Sequence, residues 1–123
     1  MRISAAESQV MEVLWRDGPS TAEDVAGAIG ADQNWTPATV KTLLNRLLTK
    51  GAVSAERIGR RYLYAPQIAR SDYVHDESKG LLDRLFDGKL APLVSHFAET
   101  KQLSPQDIAE LKRLIEELDD DGA

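Results

Sequence analysis

With 123 residues, 42% of them hydrophobic and 28% charged, the chain has the makeup of one compact domain, or of a small domain with an accessory helical segment, and is too apolar to be disordered. It has no cysteine and two histidines, His75 and His96, which excludes disulfides and thiolate-held zinc and leaves no metal site or cofactor to expect, since neither His-x-x-x-His nor His-Glu-x-x-His spacing occurs. The formal charge of −5 is unevenly spread: residues 1–66 hold 8 Lys/Arg against 7 Asp/Glu, residues 67–123 hold 7 against 13, and residues 34–64 hold six basic side chains against Glu56 alone.

Ser4 and Glu7 form a capping-box pattern that opens a first helix running to about Arg16, with Val10, Val13 and Leu14 at helical spacing and Met11 and Trp15 beside them. Asp17-Gly18-Pro19 ends it. Ser20 or Thr21 then offers the N-cap of a short second helix with Ala22, Val25, Ala26 and Ile29 inward and Gly30 as its stop. A polar connection, Ala31-Asp32-Gln33-Asn34, leads through Trp35 to Thr36 as N-cap and Pro37 at the first helical position, where its missing N–H costs nothing. The third helix places Val40, Leu43, Leu44, Leu47 and Leu48 on one arc, toward a core. The opposite arc holds Ala38, Thr42, Asn45 and Thr49, flanked by Thr39, Lys41 and Arg46, and Gly51 ends the helix.

Two β-prone segments, 52–58 and 61–66, flank Gly59-Arg60 and read as a hairpin. Beyond Pro66 a long amphipathic helix is predicted from about Ile68 through Phe86, broken at Asp87-Gly88. A short apolar helix follows over Leu90–Ala98, and a last one opens at Ser104-Pro105 with Asp107 completing its cap. Ile108, Leu111, Leu114, Ile115 and Leu118 form its apolar stripe, and 119–123 should be a frayed acidic tail. The fold class is therefore mainly α with a small β-hairpin wing: a winged helix-turn-helix domain over 1–66, then a helical dimerisation region over 67–123.

A helical triplet followed by a basic hairpin is built to meet duplex DNA, the third helix entering the major groove. Thr39 and Thr42 can hydrogen-bond bases or touch a thymine methyl, Asn45 can pair with adenine, and Lys41 can reach guanine or a phosphate; Ala38 and Arg46 complete that face. Taken singly, such residues are more often an ordinary solvated helix face, and it is their place in the triplet that favours DNA. Arg60 and Arg61, with Arg57 beside them, suit a wing lying against the backbone or a minor groove, although hairpin arginines also simply keep a strand edge soluble. Tyr62 and Tyr64 share one strand face, open either to a phosphate or to packing under the wing.

The C-terminal helices could fold back as extra core, but they lie beyond an already complete small fold, and a palindromic site requires a two-fold axis. Leu82, Leu85, Phe86, Leu93, Phe97, Ile108, Leu111 and Ile115 are therefore the expected homodimer interface. No Gly-x-Ser-x-Gly elbow or glycine-rich phosphate loop occurs, so an enzyme is not expected. No apolar run approaches the roughly eighteen residues of a membrane span, and the start lacks a signal peptide's apolar core, so a cytoplasmic protein without membrane insertion is expected. The rival reading from another class is a winged module that binds protein instead of DNA.

The residues Ala6-Glu7, Val10-Met11 and Val13-Leu14-Trp15, the run Trp35 to Leu47, the wing Gly59 to Pro66, and Ser104 to Leu111 together resemble the penicillinase-repressor (BlaI/MecI-type) family of bacterial regulators. The resemblance covers nearly the whole chain. It implies a homodimeric transcriptional repressor on a dyad-symmetric operator, a regulator of antibiotic resistance, with the recognition helix in the major groove and the C-terminal helices as interface. For the β-lactam branch it also implies release through a sensor-linked protease that leads to cleavage at an Asn-Phe bond. The matching place here reads Ser95-His96-Phe97, which makes His96-Phe97 the candidate cleavage site with His96 standing where Asn would. A copper-responsive branch carries a C-terminal cysteine cluster, and this cysteine-free chain is not of that kind.

Overall fold

The computed structural model describes residues 2–30 and 33–122, without the side chains of 121 and 122; Met1, Ala31 and Asp32 of the polar connection, and Ala123 of the tail lie outside the described residues. The elements are α1 (Ala5–Asp17), α2 (Ala22–Ile29), α3 (Pro37–Lys50), β1 (Val53–Ile58), β2 (Arg61–Pro66), α4 (Arg70–Leu85), α5 (Leu90–Glu99) and α6 (Pro105–Gly122). They fall into two compact units, residues 1–74 and 75–123.

In the first unit α1, α2 and α3 each begin where a side chain satisfies free N–H groups. Ser4 and Glu7 cap α1 reciprocally at 3.1 and 2.9 Å. Thr21 and Asp24 do the same for α2, and Thr36 accepts from Thr39 N–H ahead of Pro37 in α3. Of the two hydroxyls offered by the sequence for α2, Thr21 is the cap. Ser20 instead exchanges backbone hydrogen bonds with Tyr64 at 2.9 and 2.8 Å, a one-residue extension of the hairpin's edge.

The core is built from Val10, Met11 and Leu14 of α1, Val25 of α2, Val40, Leu44 and Leu47 of α3, and Ala52, all fully buried, with Val53 and Tyr64 closing it from the hairpin. Leu48 departs from the expected inward arc and stays 41% exposed. It lies about 80° around the helix from Val40, at the edge of the arc, where side chains of the first unit no longer cover it. β1 and β2 pair antiparallel from Val53↔Pro66 to Ile58↔Arg61. The connecting Gly59-Arg60 turn has φ +63° at Gly59, the positive-φ position that a two-residue hairpin loop reserves for glycine.

The first unit runs past Pro66 and takes in the first residues of α4, because these are fastened to α1. The Trp15 indole N–H donates to Ile68 C=O at 2.9 Å, Tyr73 donates to the Ser8 hydroxyl at 3.1 Å, and Arg70 Nε lies 3.1 Å from both Glu12 carboxylate oxygens. The Trp15 and Tyr73 rings meet with centroids 5.5 Å apart.

The second unit holds the rest of α4, then α5 and α6, and none of its residues from His75 to Asp120 is buried. Asp87 and Gly88, at φ +53° and +73°, make the break after α4. Ser104 and Asp107 cap α6 with two 3.0 Å hydrogen bonds. α6 continues to Gly122, so Asp119 and Asp120 are helical where the sequence suggests fraying. Once a capped helix is nucleated each further residue adds a hydrogen bond, and acids in the last turn oppose this by only a few tenths of a kcal/mol. Among the described residues no helix is long and apolar enough to cross a membrane.

Candidate nucleic-acid interface

Helix α3 buries one face and leaves the other in solvent. Ala38, Thr39, Lys41, Thr42, Asn45 and Arg46 are all exposed on it, as the periodicity requires. The hydroxyls on this face are already engaged, Thr49 donating to the Asn45 carbonyl at 3.0 Å. Thr42 donates to the Ala38 carbonyl at 3.2 Å, and the Thr39 and Thr36 hydroxyls lie 3.2 Å apart. Thr42 therefore offers a duplex its methyl group and acceptor lone pairs, its one proton being spent on the helix backbone.

The beginning of α3 and the wing face one another across an open groove of about 180 Å³, lined by Ala22 and Glu23 of α2, Pro37, Ala38 and Lys41 of α3, and Arg60, Arg61, Tyr62 and Tyr64 of the hairpin. The structure thus brings Ala38, Lys41, Arg60 and Arg61 to one place, while Thr39, Thr42, Asn45 and Arg46 continue outside the groove. The tyrosines divide: Tyr64 is 3% exposed and packs under the wing, whereas Tyr62 is 44% exposed in the groove. Burial first, then the nearby Tyr62 and Glu23, push the Tyr64 hydroxyl above its usual pKa, so it stays neutral. Arg57 curls back, its Nε donating to Gly59 C=O at 3.1 Å. A groove with three cations from two elements, beside an exposed polar helix face, suits a phosphodiester backbone and the base edges next to it.

Not every basic residue of the 34–64 stretch is free for a ligand. Lys50, at the last position of α3, donates to Glu7 Oε1 at 2.6 Å and to Arg2 C=O at 2.7 Å, and Glu7 is 2% exposed. Burial alone would raise the Glu7 carboxyl, but Lys50 and the Ser4 backbone and hydroxyl outweigh it and hold the pKa below its ordinary value. The partner comes from 43 residues away in sequence, so a count of local charge misses it. Glu23, likewise invisible as a groove residue in the sequence, is carried there by the start of α2.

In the second unit, Leu93, Phe97 and Leu111 line one apolar groove of about 420 Å³ with Val94, Leu103, Asp107 and Glu110. Leu85 and Phe86 border a separate hollow at the α4–α5 turn. Leu82, Phe86, Leu93 and Leu111 are half-buried, while Leu85, Phe97, Ile108 and Ile115 are exposed. His96 sits between aromatic rings, its centroid 5.2 Å from Phe97 and 6.4 Å from Phe86. The His96-Phe97 bond lies inside α5, and the Phe97 carbonyl accepts from Gln102 N–H at 2.9 Å.

The family model described as penicillinase repressor matches residues 3–117. A penicillinase repressor of Bacillus licheniformis is 37% identical over 94% of this chain and 91% of its own length, and a methicillin resistance regulatory protein, MecI, of Mammaliicoccus sciuri is 29% identical over 92% of each. Among solved structures, the DNA-binding domain of the repressor BlaI superposes with TM-score 0.53 at 38% identity, over 58% of this chain and 88% of that one. The monomeric form of Bacillus licheniformis BlaI in complex with the blaP half-operator gives 0.51 at 37%, over 59% and 89%. The arrangement of three helices and a wing is the one those structures share, and the chain belongs to the penicillinase-repressor family of winged-helix, DNA-binding regulators.

Proposed function

We propose that this chain represses transcription as a homodimer on a dyad-symmetric operator. Each copy sets α3 into a major groove through Ala38, Thr39, Lys41, Thr42, Asn45 and Arg46 and braces the backbone with Arg60 and Arg61. The observation that carries this is the groove that joins Lys41 to the wing arginines beside an exposed helix face of small polar side chains. Repression is then by occupancy, with no catalytic step, and takes place where the chromosome is, in the cytoplasm. The relatives' names support genes of β-lactam resistance as the targets, and a monomer of one relative held on a half-operator supports one copy per half-site.

Pairing falls to the second unit, through Leu82, Leu85, Phe86, Leu93, Phe97, Ile108, Leu111 and Ile115. These side chains belong to a unit in which no residue from His75 to Asp120 is buried, and a second copy is the partner that a two-fold operator supplies. Cleavage at His96-Phe97 by a sensor-linked protease would remove that pairing, but the bond is helical, so α5 must open locally before a protease can hold it extended.

The test is selection of duplexes from a random pool by the full chain, followed by anisotropy titration of the enriched sequence over a salt series. The expected result is a palindrome bound about 10³-fold or more tighter than unselected DNA. Absence of any enrichment, or equal affinity for all duplexes, overturns the reading in favour of a protein-binding winged module.

A further inference from the structure

The groove between α3 and the wing carries positive charge on two sides and a carboxylate on the third. Glu23, in the first turn of α2, shares that groove with Lys41, Arg60 and Arg61. It is exposed, and it is not among the acids that hold ion pairs in the described residues, which are Glu7, Glu12, Asp17, Glu110 and Glu117. Nor is it needed to start its helix, because the capping box of α2 is made by Thr21 with Asp24. Its charge reaches the buried end of the groove, where it helps to keep the Tyr64 hydroxyl protonated after burial and Tyr62 have done so.

We propose that Glu23 is a negative determinant of DNA-backbone affinity. Set where a phosphate enters between α3 and the wing, it weakens the grip of each winged domain, so that operator occupancy depends on two domains acting together. This rests on the reading of the groove as a DNA-backbone site. A phosphate in the groove meets three cations and one carboxylate, and the carboxylate offsets about one of the cations, so each domain displaces about one counterion fewer from the duplex. Between like charges in a wet groove the penalty is about two- to five-fold in affinity per domain. Both domains of a dimer bear it, which makes about four- to twenty-five-fold for the pair. A repressor whose single domains hold weakly is released when pairing is lost; one with tight single domains would remain on the DNA.

The experiment compares the full chain with its Glu23→Gln and Glu23→Asp variants on the enriched palindrome and on an unrelated duplex, by anisotropy over a salt series, with thermal melting of each protein alongside. Glu23→Gln should bind both duplexes more tightly by the factors above, with log affinity falling more steeply against log salt by about one per domain. Glu23→Asp, which keeps the charge, should keep the wild-type slope. A carboxylate serving only the positive end of α2 would instead lower the melting temperature of Glu23→Gln and leave its salt slope unchanged, which overturns the proposal. Weaker binding by Glu23→Gln overturns it too, since the carboxylate would then be positioning the arginines. If the wild-type chain binds no duplex, the DNA-binding reading itself fails; if it binds selectively and Glu23→Gln gains nothing, only this inference falls.

Discussion

Replacing Lys50 with Met should reverse the way the first unit responds to acid. In the wild-type chain the Glu7 carboxyl titrates below its ordinary 4.5, against the pull of burial, because Lys50 and Ser4 bind its charged form. A carboxyl with a depressed folded pKa stabilises the fold at pH values above the unfolded one, and that contribution drains away as pH falls through the folded value. Without Lys50 the desolvation of a 2%-exposed carboxylate dominates and its pKa rises. The unpaired charge then penalises the fold at neutral pH, and protonation relieves the penalty. Removing one partner of a fully buried pair costs about 3–5 kcal/mol. Here the Lys50 side chain is 34% exposed and Ser4 N–H still donates to Glu7, so about 2 kcal/mol is expected at pH 7. Urea unfolding followed by tryptophan fluorescence measures this directly, since both tryptophans, Trp15 and Trp35, lie in the first unit. The gap between wild type and Lys50→Met should narrow steadily as pH falls from 7 through the carboxyl's ordinary 4.5 and below. A gap that stays constant or widens as pH falls would show that Lys50 acts by packing and not by satisfying Glu7.

On the DNA side, the Thr42 hydroxyl is committed to Ala38 C=O, so its methyl should do the reading. Anisotropy on duplexes with thymine replaced by uracil should show Thr42→Val keeping any preference for the thymine methyl and Thr42→Ser losing it, by about 0.8 kcal/mol for one methyl contact. Arg60→Ala and Arg61→Ala should each weaken all duplexes alike and flatten the salt dependence by about one unit per domain, while Lys41→Ala should shift the preferred sequence in a repeat selection. Phe97→Asp or Leu111→Asp should yield monomers in sedimentation equilibrium while the tryptophan-detected unfolding of the first unit stays put; an undiminished dimer would remove the apolar α5–α6 groove from the interface.

How far the fold could be read beforehand depended on how local its causes are. The bounds of α3 follow from Thr36-Pro37 at one end and Gly51 at the other, and the register of the wing follows from a two-residue turn with glycine first. Each is decided within a few residues. Leu48 escapes the periodicity because a wheel gives direction and not the extent of what covers it. Ser20 and Thr21 are equivalent as caps until the backbone of Tyr64, far along the chain, claims Ser20. Lys50 adds to the basic count of residues 34–64 until α1 supplies a buried carboxylate, and Glu23, outside that stretch, joins it only when α2 carries it beside the wing. Both have one source: charge summed over a sequence window describes a field only if the chain does not fold back onto the window.

The two units also differ in what holds them. The first has a continuous core in which Val10, Met11, Leu14, Val25, Val40, Leu44 and Leu47 are fully buried, and so a stability of its own. The second consists of three amphipathic helical segments, none with a buried residue from His75 to Asp120, although α6 is capped by Ser104 and Asp107 and the turn after α4 is well formed. Caps and turns set where helices begin and end, but at about 1 kcal/mol each they do not offset the entropy of ordering so many residues. Apolar burial has to come from outside the unit, and on the proposed reading it comes from a second copy, so that folding of this unit and pairing are one equilibrium, dependent on protomer concentration. A change that opens α5 acts on that equilibrium and leaves α3 and the wing intact. On the proposed reading, with Glu23 keeping each single domain weak, loss of pairing is enough to clear the operator.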